Sequence, residues 1–206
     1  MNIPLELRLA IDLLRNMAPL LALIFVYSVF RPRLLGLPAV YRDLVTGILF
    51  GSFALLATPI LVSPGIFING RIIVIVTAGA FFGWRTVLPV TAIIIIDRLM
   101  LGGIGVPANL ASVLTVTLSS SLLYQRFIAH GRAYRTTHLV WLGVAVAVQA
   151  LLWTLLLLPA DTALTTLSIT APPIMVVYPL ATLLFGNALS TRAAPRRARR
   201  CAAPRA

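Results

Sequence analysis

The chain has 206 residues, of which 60% are hydrophobic and 11% charged, and its mean hydropathy is +0.99. A soluble domain carries about 25% charged residues, so this composition excludes a water-soluble globular protein. Seventeen basic residues against five acidic ones give a net charge of +12; at roughly 20 residues per membrane helix the chain holds about seven spans with short connections and has no room for a separate catalytic domain.

Every basic residue is Arg. At the N-terminus Glu6, Arg8, Asp12 and Arg15 interrupt the sequence and no small-residue cleavage pattern follows, so no cleaved signal peptide is expected. Arg8 and Arg15 lie four and three residues from Asp12, a spacing that pairs them locally on one helical face. Apolar runs then predict an all-α membrane helix bundle of six to seven spans, at about 9–30, 43–62, 72–84, 86–101, 107–123, 139–159 and 166–189. The third and fourth are the weakest. Ile72 to Gly83 is only 12 residues, short for a full crossing, so this segment tilts, lies in protein-buried surroundings or forms a re-entrant pair with the next. The run Ile93-Ile94-Ile95-Ile96 is β-branched, yet an isolated strand cannot satisfy its backbone in lipid, which favours helices throughout.

Alternating spans place 13 of the 17 arginines on one face: Arg31, Arg33 and Arg42, then Arg85, then Arg126, Arg132 and Arg135, then the tail. The positive-inside rule assigns that face to the cytoplasm of a bacterial inner membrane, with the N-terminus outside and the C-terminus inside. Residues 1–190 read as the membrane-embedded domain and residues 191–206 as a disordered, Arg/Ala/Pro-rich cytoplasmic tail. That tail contacts anionic lipid or serves as a topology anchor, and no nucleic-acid partner is expected.

Two arginines are left unexplained by the rule. Arg71 opens the third span and Arg98 closes the fourth, so both reach the outer level, and a short loop at Trp84-Arg85 makes the two segments antiparallel neighbours. Arginine near hydrocarbon costs roughly 2.5 to 3.5 kcal/mol on insertion scales and faces a cavity or a partner. Asp97 is the only nearby acid for two cations. Adjacent helical residues point about 100° apart, so Asp97 is poorly placed for Arg98 and turns to Arg71 or elsewhere. One positive charge remains. A small anion would satisfy it, since the guanidinium fork matches a carboxylate or phosphate in a bidentate manner. The glycines Gly102 and Gly103 predict a hairpin that returns Asn109 and Ser112, which share a helical face, toward the cations. The alternative stays open that Asn109 and Ser112 only hydrogen-bond neighbouring helices, and that Arg71 simply pairs with Asp97.

Other features carry less. Ser119-Ser120-Ser121 suits close helix packing, and Pro172, Pro173 and Pro179 mark kink points in the last span. The single cysteine, Cys201, excludes an intramolecular disulfide, and His130 and His138 stand in a basic loop without acids or cysteines. No metal site, cofactor or catalytic constellation is expected, so the chain reads as a non-enzyme.

Three motifs together resemble a known family. Ser63-Pro64-Gly65-Ile66-Phe67-Ile68-Asn69-Gly70-Arg71, then Ala78-Gly79-Ala80-Phe81-Phe82-Gly83, then Asp97-Arg98-Leu99-Met100-Leu101-Gly102-Gly103, are similar to the five-transmembrane receptor domain of the LytS-YhcK type over about residues 15–190. The resemblance implies a sensor of a small extracellular solute, with ligand-binding residues at Arg71, Arg98, Asn109 and Ser112 and supporting residues at Asn69, Gly70, Asp97, Gly102 and Gly103. It also implies short carboxylates such as pyruvate as the ligand class, and signalling through a histidine kinase or a diguanylate cyclase, in two-component phosphorelay or cyclic-di-GMP pathways. The chain departs from the family's pattern at Trp84-Arg85, where Gly-Pro is more usual, and at Asn109, which is small or thiol-bearing in some relatives. It also ends in the Arg-rich tail where an output domain is usual, which leaves three alternatives open: a free-standing receptor that signals through a cytoplasmic kinase or cyclase partner, a truncated gene product, or a solute-binding unit of a transporter; a homodimer is a further candidate partner. The alternative reading is a solute transporter or a substrate-binding membrane subunit of one; no inverted repeat is evident to support a self-sufficient carrier.

Overall fold

The computed structural model describes residues 11, 17–57, 60–63, 66–68, 70–130 and 134–193. Apolar runs of this length satisfy their backbone in a bilayer by forming helices, and seven helices take up nearly all of the described chain. They are α1 (Met17–Leu34), α2 (Ala39–Leu56), α3 (Arg71–Phe82), α4 (Trp84–Leu101), α5 (Val106–Arg126), α6 (Thr136–Leu157) and α7 (Ala160–Ala193). Four of them, α2, α5, α6 and α7, are long and apolar enough to cross a membrane unaided. Large apolar side chains such as Phe25, Met100, Trp141 and Val176 point outward, while Thr46, Thr77, Thr91 and Ser120 are buried between helices. Apolar surface on this scale is stable against lipid and not against water. The protein is a multi-pass membrane helix bundle.

Two boundaries differ from the sequence expectation. The second span ends at Leu56 and not at residue 62, and Ile60–Ser63 (β1) pairs antiparallel with Ile66–Ile68 (β2), Ile60 opposite Ile68. Pro59 cannot donate into a continuing helix, and the β-branched and aromatic residues around a Ser-Pro-Gly turn signal favour a hairpin. The last helix begins at Ala160 and reaches Ala193, passing through all three prolines, so it is 34 residues and about 51 Å long. It therefore takes in the first residues of the expected tail. Residues 194–206 lie outside the described residues, as do Glu6, Arg8, Asp12, Arg15 and Arg132.

The short third span resolves as a buried one. α3 has 12 residues, about 18 Å, and every residue from Arg71 to Ala80 is buried. A helix that is apolar all round belongs inside; α3 packs on α2, α4, α5 and α7. Because protein and not lipid surrounds it, its ends need not reach the two membrane faces.

Specific contacts fix how the helices run. Gly79 of α3 lies directly on Ser120 of α5, and Gly47 and Gly51 of α2 lie on Pro89 and Ile93 of α4, so these pairs are parallel. Thr91 and Thr117 share a hydrogen bond of 2.7 Å between antiparallel α4 and α5. Thr115 of α5 accepts from Gln149 and from Trp153 Nε1, the latter at 3.0 Å, which binds antiparallel α6. The alternation leaves Arg31, Arg33, Arg42, Arg85, Arg126 and Arg135 at one end, the basic end. The β-hairpin, the start of α3 and the end of α4 lie at the other, the hairpin end.

At the basic end one residue, Gly83, separates α3 from α4, with φ +86° and ψ −174° and the Tyr124 ring packed against it. This backbone region is essentially confined to glycine. The following loop is latched by Tyr134, whose hydroxyl donates to the Ala80 carbonyl at 3.2 Å and whose ring meets Phe81 edge-on. Gly83→Ala is expected to destabilise the bundle by about 2 kcal/mol, read as a lower melting temperature in detergent; an unchanged melting temperature would contradict the strained turn. Burial pushes the Tyr134 phenol up to about 12 from its ordinary 10.0. The folded state therefore holds this proton more tightly than the unfolded state, and its contribution is complete below pH 10 and lost as pH rises to about 12. The melting temperature of the wild type should fall more steeply across that window than that of Tyr134→Phe, and parallel profiles would exclude Tyr134 as the cause.

Candidate functional site

The site at the hairpin end is built from four helix termini. α2 stops at Leu56 with Ala57 as its C-cap, leaving carbonyls without helical partners. α3 starts at Arg71 behind Gly70, which is buried. α4 stops at Leu101, where Gly102 and Gly103 take φ +66° and +98° and let the chain reverse within four residues. α5 then starts at Val106, with Pro107 in its first turn, where a missing N–H costs nothing.

Arg71 is 3% exposed, and its side chain reaches across this junction. Its Nε donates to the Ala57 carbonyl at 3.2 Å, and its Nη1 donates to Asp97 Oδ2 in an ion pair. A cation on the last carbonyls of a helix complements the negative end of its dipole. Asp97 therefore turns to Arg71 rather than to its sequence neighbour, as the 100° step between adjacent helical residues requires. It keeps 27% of its side chain exposed.

Arg98 is buried still more deeply, at 2% exposure. It lies near enough to Arg71 to feel its repulsion and near enough to Asp97 to feel its attraction. The three groups sum to one positive charge inside the bundle. Ser112 lies at the same depth: Gly79 and Ser120 touch across parallel α3 and α5, and eight residues back along each helix stand Arg71 and Ser112. The Ser112 hydroxyl is buried, at 3% exposure, and has no hydrogen-bond partner among the described residues. Asn109, one turn nearer the end, is half-buried.

Of the residues expected at the site, Arg71, Arg98 and Asp97 thus lie together, and Ser112 stands at their depth on α5. Gly70 caps α3, and Gly102 and Gly103 form the turn. Asn69 lies outside the described residues. Two contributions have no sequence signal of their own. The Ala57 carbonyl acts only because α2 ends there, and Thr115 is an ordinary threonine until Gln149 and Trp153 converge on it. Thr115 also donates to the Ala111 carbonyl at 2.7 Å, which fixes the turn of α5 that carries Ser112. Among the described residues no cluster of His, Cys, Asp or Glu could hold a metal ion.

Removing one partner of a buried ion pair leaves an uncompensated charge and costs about 3 kcal/mol. Asp97→Ala should therefore lower the melting temperature well below that of the wild type, and Arg71→Ala with Asp97→Ala together should cost less than the two single losses added. Strict additivity would mean that the pair contributes nothing.

No curated protein and no solved structure matches the chain. The profile of the family described as 5TMR of 5TMR-LYT matches residues 28–192, which include α2 to α6, most of α7 and every residue of the hairpin-end cluster. The chain belongs to this family, the five-transmembrane receptor domains of the LytS type, and is a membrane receptor domain.

Proposed function

We propose that the protein is a receptor domain of the bacterial inner membrane that binds a small extracellular anion, of the short-carboxylate class, at Arg71, Arg98 and Ser112, with Asn109 at the rim. The observation that carries this reading is the buried cluster of two arginines with a single acid, at the depth of a serine hydroxyl that has no partner among the described residues. The Arg71–Asp97 pair alone would suit a purely structural role. The second buried arginine goes beyond what that pair needs, and the planar guanidinium fork suits a carboxylate.

The described arginines of the basic end, Arg31, Arg33, Arg42, Arg85, Arg126, Arg135 and Arg192, support a cytoplasmic position for that end and an outward position for the site. On this reading the C-terminus is cytoplasmic and the chain catalyses nothing itself. It passes its signal to a histidine kinase or a diguanylate cyclase, for two-component or cyclic-di-GMP signalling. A ligand carries a signal only if it favours one helix arrangement over another through differential affinity, and a site at the junction of α2, α3, α4 and α5 meets that condition because the ligand contacts several helices at once.

The test is a thermal-shift panel on the detergent-purified protein with short carboxylates, phosphate and neutral metabolites. A bound ligand stabilises the folded state by about 2.7 kcal/mol at a hundredfold excess over Kd, so one anion class should raise the melting temperature. Arg98→Ala should abolish the shift and Arg98→Lys should weaken it, because the bidentate geometry is lost. In sealed vesicles the same anion should bind without being taken up. A shift that survives Arg98→Ala would dismiss the site, and uptake would mark a transporter.

A further inference from the structure

The basic end carries a second group of charges, separate from the hairpin-end site. Tyr27 of α1 meets Phe50 of α2 and Phe82 at the end of α3, with ring centroids 5.8 and 5.2 Å away. Arg31 and Arg33 occupy the last turn of α1, just beyond Tyr27. After Phe82 and Gly83, Trp84 and Arg85 open α4. Gly47 of α2 lies on the Thr86 carbonyl and on Pro89, so Arg42 and Asp43, about one turn before it, stand beside the start of α4.

Four arginines and one aspartate therefore gather where α1 ends and α2 and α4 begin, and they sum to three positive charges. Asp43 is the one acid at this end among the described residues, and Arg42 already holds it: Nε and Nη2 both donate to Asp43 Oδ1 at 3.1 Å. Arg33 and Arg85 are exposed. The Arg85 guanidinium lies over the exposed Trp84 ring, 5.4 Å from its centroid, within the range of a cation–π contact. Tryptophan favours the level of lipid headgroups, where its ring meets acyl chains and its N–H stays wet. Within one turn of these arginines Phe30, Tyr41, Leu44 and Leu88 are exposed as well. The patch is thus basic and apolar at once. A dissolved anion matches only half of it, whereas an anionic phospholipid matches both, its phosphate facing the arginines and its chains covering the apolar side chains.

We infer that this corner of the basic end docks the headgroup of an anionic phospholipid, with Arg85 and Trp84 as its main contacts and Arg33 beside them. A lipid seated there touches the ends of α1, α2 and α4 at once and stabilises their packing, because it binds only the folded arrangement. The positive-inside rule accounts for arginines along the whole of this end and gives no preference for one corner; a docking site does. None of the hairpin-end residues takes part, so this inference stands apart from the receptor reading.

The test reconstitutes the full chain in phosphatidylcholine bilayers that contain phosphatidylglycerol or phosphatidylcholine brominated on the acyl chains, and reads the quenching of tryptophan fluorescence. Trp141→Phe with Trp153→Phe leaves Trp84 as the reporter of this corner. Trp84→Phe with Trp153→Phe leaves Trp141, exposed on α6 near Arg135, as the reporter of another part of the same end. At Trp84 the brominated phosphatidylglycerol should associate about fivefold or more tighter than the brominated phosphatidylcholine, the effect of one arginine near an anionic surface, with a smaller preference at Trp141. Arg85→Gln and high salt should each bring the preference at Trp84 down to that at Trp141. Equal quenching by the two lipids at Trp84, equal preference at the two tryptophans, or a preference untouched by Arg85→Gln overturns the site. Should the double variants not fold, phosphatidylglycerol added in detergent should raise the melting temperature of the wild type more than phosphatidylcholine does, and more than it raises that of Arg85→Gln. The same rise with inorganic phosphate would mark a dissolved anion and overturn the lipid assignment.

Discussion

One guanidinium group organises the hairpin end. Arg71 donates to the Ala57 carbonyl at the end of α2 and to Asp97 near the end of α4, while its own backbone starts α3. Three helix termini are thus tied at a single side chain, and the β-hairpin between Ala57 and Arg71 is closed at its base by the same contact. The grip is strong because the surroundings are apolar: at 3% exposure water does not compete for these donors. The same dryness makes the second cation, Arg98, a defining feature. A charge buried at 2% exposure persists only in a surrounding that compensates it.

The rest of the bundle holds that junction in place from below. α3 is a buried rod with Arg71 at one end and the Ala80 carbonyl, held by Tyr134, near the other. α5 is the polar seam, with Thr117 bonded to α4, Thr115 bonded to α6 and Ser120 beneath Gly79 of α3. In a bilayer there is little hydrophobic force between helices, so close packing at small residues and hydrogen bonds of this kind decide which helices adjoin. α3 and α5 thus run as packed elements between the hairpin end and the basic end. Any anion bound at Arg71 shares that guanidinium with Ala57 and Asp97, which is a physical basis for sensitivity of the helix arrangement to occupancy.

Membrane class, a count of six to seven helices and the turning of Asp97 away from Arg98 were legible in the residues, while its pairing with Arg71 was one of two alternatives. Charges and Pro/Gly punctuation bracket each apolar run, and one helical step forces Asp97 away from Arg98. The family motifs were equally legible, since Asn69-Gly70-Arg71 and the Arg98 to Gly103 stretch are contiguous in sequence. The β-hairpin was not. Ile60 to Val62 continue the apolar run of α2, and hydropathy alone does not distinguish a short apolar strand from the end of a helix. The extent of α7 was hidden for the opposite reason. Pro172, Pro173 and Pro179 suggest breaks, yet the helix passes through them while Gly143 lets α6 approach at Pro179.

The sequence by itself determined that the chain lives in a membrane, that its basic loops gather at one end, and that Arg71 and Arg98 reach the level of the other, because these follow from hydropathy, charge and the 3.6-residue period. Tertiary structure alone decided that α3 is buried on all sides, that the Ala57 carbonyl is a partner of Arg71, and that the Ser112 hydroxyl is buried with no partner among the described residues. Those facts depend on which helix touches which and at what register. Register between helices is set by packing of small residues and by interhelical hydrogen bonds, and neither is encoded in the pattern of any single segment.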